Sequence, residues 1–433
     1  MPKPIITLSE DLRQFIEHFR SCFTKRQWKY FVTVLLGLVE CQERRTLTGL
    51  LRVVAEKVSL SGLSRFLSRW PWKEEALVAT WYALFCARMM PLVMAEHIRQ
   101  RLNRPKKPGR PRKTVVTGFL VLDDSVHTKP KGRKMEGIGR HYSATEKKVV
   151  TGHCLFQALY ILLGRRCPLL PKLYRQKAVC EREKVPFKSK VDLAVETIET
   201  FQPVAETHTH VVVDAWYHNK RVRRAARKRD WDVSGGLKSN RKMRIILPNG
   251  QRIWVSLSEY AATLKPEDWQ EAIWPSQEGG RKIYVHAVCT WIRKLGPTLL
   301  LITRESLDAP LSQARYWGST LLDADAQTVI NILAIRWDIE VFFEDIKDLL
   351  GSDHYQVMKA KAVVRLWTLI NCLWFFLEEQ RATLQELNPD KHITRGDVRR
   401  YLQREHQQRL LEWLYQQFQS GASPDKIYNQ LAA

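Results

Sequence analysis

Residues 115–125 read VVTGFLVLDDS, a β-branched apolar run that closes on two aspartates. A run of this kind predicts a buried strand with Asp123 and Asp124 at its carboxyl end. Residues 209–217, THVVVDAWY, repeat the pattern, an apolar strand closing on Asp214. In open α/β sheets ligands bind beyond the carboxyl ends of the strands, so acids placed there are candidates for chemistry. The plainer reading makes Asp123 and Asp124 turn caps and Asp214 the N-cap of the helix that follows.

Between and beyond these two runs, VVTGHCLFQALYILL (149–163) predicts a second long strand and VDLAVETIETF (191–201) an amphipathic helix. After Asp214 come a short basic helix, NKRVRRAARKR (219–229), and a strand with its turn, DVSGGLKSN (232–240). Residues 241–304 carry strands RIWVSL, KIYVHAVCTWI and TLLLITR, parted by PNG and EGG turns, and from Ala324 onward the chain reads as helical. This order gives an α/β fold with a β-rich insertion. No phosphate-binding glycine loop follows any strand, which argues against an NTPase or a dinucleotide enzyme.

Upstream, residues 8–98 show helical spacing. LTGLLRVVAEK (47–57) and SGLSRFLSRWPW (61–72) form either a helix-turn-helix, presenting Ser64, Arg65 and Arg69 to a major groove, or an ordinary helical hairpin. Residues 99–113, RQRLNRPKKPGRPRK, hold eight basic residues and three prolines, which excludes regular structure. Arg110, Arg112 and Lys113 there suit a narrow minor groove. The expected organisation is a helical DNA-binding region (1–98), a basic linker (99–113) and the first part of a catalytic core (114–240). The β-rich insertion (241–304), the last part of the core (305–385) and a helical tail (386–433) follow.

Lysine and arginine number 70 against 45 acidic residues, a net charge of +25 over 433 residues. That excess points to a polyanionic partner, nucleic acid before an anionic membrane. The eight cysteines form no C-x-x-C pair, which fits a reducing cytosol and no zinc ribbon. The start shows no signal region, and the most apolar run, Leu366 to Leu377, is too short to span a bilayer. Membrane insertion and secretion are therefore not expected, and the chain reads as cytoplasmic.

Cutting a phosphodiester with two divalent cations takes a few carboxylates converging within a positive surface. The third acid should come from the helix at 334–350, AIRWDIEVFFEDIKDLL. Ile335, Ile339, Phe342 and Ile346 form its buried stripe, and Arg336, Glu340, Glu344 and Lys347 lie on the flank. Asp338, Asp345 and Asp348 read as solvated surface. Periodicity does not choose between Glu340 and Glu344. His127 and His153 read as structural. Among Trp254, Trp269, Trp274 and Trp291 of the insertion, Trp291 is the foremost candidate to stack on a flipped base.

Arg336-(3)-Glu340-(6)-Lys347 resembles the R-(3)-E-(6)-K part of the Y-(2)-R-(3)-E-(6)-K signature of bacterial insertion-sequence transposases of the DDE class. DDS at 123–125 and VVVDAWY at 211–217 are similar to that family's first- and second-acid motifs, and GGLKSNRKM (235–243) to the stretch that follows. The resemblance covers about 115–350. It implies an RNase H-like core, a mixed sheet with helices, interrupted by the β-rich insertion and preceded by an all-α DNA-binding region. It also implies cut-and-paste transposition with Mg²⁺ or Mn²⁺, two ions held by Asp123, Asp214 and Glu340. Arg336, Lys347, Lys238 and Asn240 would then contact DNA. The implied partners are double-stranded DNA, both transposon ends and target, and a second copy of the chain in a homodimeric synaptic complex. The signature tyrosine, a DNA-contacting residue in the family, falls at Leu333, where this chain departs from the pattern. A catalytically silent DNA-binding derivative and a metal-dependent nuclease are the alternatives.

Overall fold

The computed structural model describes residues 8–54, 58–103, 114–143, 146–276 and 279–432. Helices open the chain: α1 (Glu10–Glu17), α2 (Lys25–Glu40), α3 (Leu47–Arg52), α4 (Leu60–Ser68) and the long α5 (Glu74–Leu102), which carries its last four residues into the stretch expected to lack regular structure, the prolines there starting only at Pro105. Hydroxyl side chains begin three of them. Thr24 accepts from the N–H of Gln27, Thr46 from Gly49 and Ser59 from Gly62, each satisfying a donor that the first turn leaves without a partner.

The sheet begins with β1 (Thr117–Thr128), β2 (Gly139–Ser143) and β3 (Lys148–Leu162), with the short β4 (Arg165–Pro168) and β5 (Lys172–Tyr174) on the flank of β3. Helices α6 (Lys177–Glu183) and α7 (Lys190–Thr200) lead to β6 (His208–Val213), then α8 (Lys220–Arg227) and β7 (Asp232–Leu237). β1 is antiparallel to β3, whereas β6 runs parallel to β1 and β7 parallel to β6. This mixed sheet with flanking helices is the α/β architecture that the strand order predicted, and it is consistent with the RNase H-like core that the resemblance implied. Gly235 lets β7 approach β6, since a Cβ there would stand 2.3 Å from the Val213 carbonyl oxygen.

The inserted segment holds β8 (Lys242–Ile246), β9 (Arg252–Ser256), α9 (Leu257–Ala261), β10 (Gln270–Trp274), β11 (Arg281–Ile292), β12 (Gly296–Arg304) and β13 (Arg315–Ser319). It extends the core sheet: β13 pairs antiparallel with β7, giving the order β2-β3-β1-β6-β7-β13-β12-β11-β8-β9. The strand that joins the two parts lies past residue 304. Alternate residues of β12 serve two small cores, Leu300 and Ile302 facing Met243 and Trp269, Leu299 and Leu301 facing Trp317 and Val329.

The remaining elements are helical: α10 (Ala326–Ala334), α11 (Trp337–Asp348), α12 (Ala360–Leu387), α13 (Arg395–Gln419) and α14 (Pro424–Ala432). The single helix expected from Ala334 onward is broken at Ile335 and Arg336, where i→i−3 hydrogen bonds tighten the turn. The break has a packing cause. Val329, Ile330 and Leu333 of α10 bury against the inserted strands, whereas Ile339, Phe342 and Ile346 of α11 bury in the main core. One straight stripe cannot serve both.

The N-terminal helices share that main core with the sheet and α12. Phe15 packs on Phe375 and Phe376, and the Trp81 indole donates to the Pro168 carbonyl at 2.9 Å. Fully buried Arg365 of α12 donates to the carbonyls of Phe66, Leu67, Trp70 and Trp72 and pairs with Glu74 at 3.1 Å. The end of α4 is thus capped by a cation from the core helix. The run 366–377 lies inside the 28 residues of α12, so the length argument drawn from the sequence fails. By length and composition α12 and α5 are both long and apolar enough to cross a membrane, and α12 is almost wholly buried within the protein.

Candidate active site

The ladder between β1 and β6 ends at Leu122 opposite Val213, and the next residue on each strand is an aspartate. Asp123 and Asp214 therefore stand side by side where the parallel pairing stops. The expected strand end at Asp123 is not there. β1 continues to Thr128, because β3 still pairs with it through that residue. The carboxyl end that matters is that of β6.

Alternation along β1 sends neighbouring acids apart. Asp124 is held by the Lys190 ammonium at 2.6 Å and by the Tyr217 hydroxyl at 2.5 Å, with the Cys154 thiol at 3.2 Å. Asp123 is partly buried beside Asp214 and Asp124, and burial with like charge pushes its carboxyl up to about 8. Asp214 Oδ1 accepts from the N–H groups of Trp216 at 2.9 Å and Tyr217 at 3.0 Å. Burial raises its pKa above the usual carboxylate range. The N-cap of α8 is Asn219, so Asp214 orders its own turn without capping that helix.

Arg336, at the break before α11, links Glu340 to Asp123. One guanidinium nitrogen lies 3.5 Å from Asp123 Oδ2, and the other pairs with Glu340. Glu340 is thereby held toward the aspartate pair, while Glu344 points to solvent. Lys347, two turns beyond Glu340, is half-buried near His127 and Asp353, and burial lowers its pKa. Asp345 and Asp338 are not solvated surface. Asp345 pairs with Arg395 at 2.9 Å and accepts from the Trp374 indole at 3.1 Å, and Asp338 pairs with Arg166 at 2.8 Å. α11 is covered from two sides, by the sheet and by α12 with α13, which a single amphipathic stripe does not reveal.

His153 bonds the Tyr355 hydroxyl at 2.7 Å and the Glu136 carbonyl at 2.9 Å, and His127 is fully buried with the Trp367 ring edge-on at 5.2 Å. Leu333 lies in the core under the inserted strands, where no DNA reaches. Lys238 and Asn240 sit exposed in the turn after β7. Trp269 and Trp274 pack into or against the inserted cores, whereas Trp254 and Trp291 are exposed. Asp214 and Arg336 open onto a groove of about 760 Å³ whose far wall includes Arg315, Tyr316 and Trp317. Arg65 and Arg69 line a separate groove of about 520 Å³ with Ser61, Ser64, Ser68 and Lys359. Arg110, Arg112 and Lys113 lie outside the described residues. Lys190 and Cys154 come from distant elements to surround Asp124, and no local motif marks them, whereas Tyr217 closes the VVVDAWY stretch without any sequence signal for its bond to Asp124.

Among the described residues no group of three or more His, Cys, Asp or Glu side chains is placed to hold a metal ion. The paired Asp123 and Asp214 nonetheless suit a hard cation. Carboxylate oxygens are its preferred donors, and a divalent ion offsets the burial and the like-charge repulsion that together raise Asp123. Glu340, the third candidate donor, is paired with Arg336.

Two family models match the chain. That of the DDE superfamily endonuclease covers residues 18–252, and that of the transposase DDE domain covers residues 188–376. The first spans Asp123 and Asp214, and the second spans Asp214, Arg336, Glu340 and Lys347. No curated protein matches the chain.

Proposed function

Because the chain belongs to the DDE superfamily endonucleases of the transposase class, we propose that it binds the ends of its own insertion sequence and cuts and joins DNA there. Asp123, Asp214 and Glu340 carry the chemistry. The observation that supports this most is the register of β1 on β6, which sets Asp123 beside Asp214, with Arg336 bridging Asp123 to Glu340.

Asp123, Asp214 and Glu340 would hold Mg²⁺ or Mn²⁺, two ions that would supply Lewis-acid charge for phosphodiester cleavage. The chain's own residues do the rest. Arg336, at the mouth of the groove, and Lys347, on the same helix flank, bring positive charge to the scissile phosphate. The hydrogen bonds to Asp214 Oδ1 fix that carboxylate on its turn, so little reorganisation is needed as charge develops. Hydrolysis at the transposon end releases a 3′-hydroxyl, which then attacks target DNA in a second displacement. Arg65 and Arg69 on α4, Lys238 and Asn240 after β7, and the basic linker hold the duplex. Two copies of the chain bring two ends together. The protein works on DNA in the cytosol, in keeping with its eight free thiols.

The test is a nicking assay on short duplexes carrying the element's ends, comparing wild type, Glu340→Ala and Glu344→Ala in Mg²⁺ and in EDTA. The expected result is loss of cutting with Glu340→Ala and with EDTA only. Loss with Glu344→Ala alone would move the third acid, and binding without any cutting would make the protein a silent derivative.

A further inference from the structure

We infer that Trp216 is a stacking platform for an unpaired nucleotide beside the scissile phosphate. The inference rests on the proposed DNA-cutting function and adds to it a residue that positions the strand.

Trp216 is 58% exposed, two residues after Asp214, and belongs to none of the cores. The ring is thus open to solvent on a surface where a ligand can reach it. Its position is nevertheless tightly determined. Its N–H donates to Asp214 Oδ1 at 2.9 Å, and the next residue, Tyr217, is fully buried with its hydroxyl on Asp124. The indole therefore moves with the candidate catalytic carboxylate and not with a loose loop. The Lys238 ammonium lies 5.2 Å from the ring centroid, and Asp214, Ala215, Gly236, Ser239 and Arg336 line the adjoining groove. An aromatic face with a cation beside it is the combination that binds single-stranded nucleic acid, the ring stacking on a base and the cation meeting its phosphate.

Trp291, the residue singled out by sequence, is placed less well. It is 42% exposed with Arg244 over its ring, but it sits on β11, four strands from β6. At the usual strand spacing that is about 19 Å across the sheet.

The experiment uses the full chain and an end duplex with 2-aminopurine at an unpaired nucleotide flanking the cleavage point, in EDTA so that nothing is cut. Wild type should quench the probe on binding, and Trp216→Leu should lose the quench. Affinity for this unpaired-end duplex should fall roughly 5- to 150-fold, with affinity for a fully paired duplex little changed. Trp216→Phe should restore part of both signals, and Trp291→Leu should leave them as in wild type. A quench that survives Trp216→Leu, or one that Trp291→Leu abolishes, overturns the inference. A wild type that cuts in Mg²⁺ yet never quenches sinks the platform alone, whereas a wild type that neither binds nor cuts sinks the function beneath it.

Discussion

Nη1 of Arg336 lies 3.5 Å from Oδ2 of Asp123, joining the turn before α11 to the middle of β1 across 213 residues of sequence. The same guanidinium holds Glu340. Arg336 thus occupies the carboxylates as an internal cation and competes with any metal for them. Replacing it with glutamine should tighten Mn²⁺ binding several-fold in the absence of DNA, while weakening DNA binding and cutting. Calorimetry with Mn²⁺ and a filter-binding assay read the two effects, and weaker Mn²⁺ binding would show that Arg336 helps to hold the ion.

Gly235 admits β7 to within contact of the Val213 carbonyl, one residue before Asp214. Gly235→Ala should force the strands apart at a cost of roughly 1–3 kcal/mol, as overpacking does. It should also displace Asp214 and so reduce cutting more than binding. Thermal melting and the nicking assay separate these, and an unchanged melting temperature would mean that the strands give way freely.

Arg365 is the buried cap of α4, bonded to four carbonyls and Glu74. Arg365→Met leaves those acceptors and a carboxylate without partners, so destabilisation of roughly 3–5 kcal/mol is expected. Urea unfolding measures it. End binding should weaken too, since Arg65 and Arg69 ride on the helix that Arg365 anchors.

His153 is buried between Tyr355 and Glu136, and burial lowers its pKa to about 4 from the ordinary 6.5. Between those values the unfolded chain binds the proton and the folded chain does not, so stability falls as pH drops from 6.5 toward 4. His153→Gln should make that fall shallower by up to about 1.4 kcal/mol per pH unit. Denaturant titrations across the window between the two values check the slope, and identical slopes for the two proteins would refute the assignment.

Neutralising Arg110, Arg112 and Lys113 should weaken end binding and flatten the plot of log affinity against log salt by roughly 0.9 for each phosphate that is no longer neutralised. An unchanged slope would reduce the segment to a tether.

Local pattern was enough to name the elements and the candidates. The apolar runs ending in Asp123 and Asp214, the helical N-terminal region, the late β-rich stretch and the acidic helix are periodic or compositional signals within a few residues of one another. Which acids meet was a matter of packing. Periodicity left Glu340 and Glu344 equal on one flank and only the family resemblance favoured Glu340; the break at Arg336, made because α10 and α11 serve different cores, placed Glu340 on the guanidinium that also reaches Asp123. Packing also paired Asp345 with Arg395, brought Lys190 and Tyr217 onto Asp124, and left Trp216 exposed beside Asp214. A local pattern records which side of its own element a residue faces. Meetings between residues dozens or hundreds of positions apart depend on which surfaces pack together, and that choice belongs to the whole core.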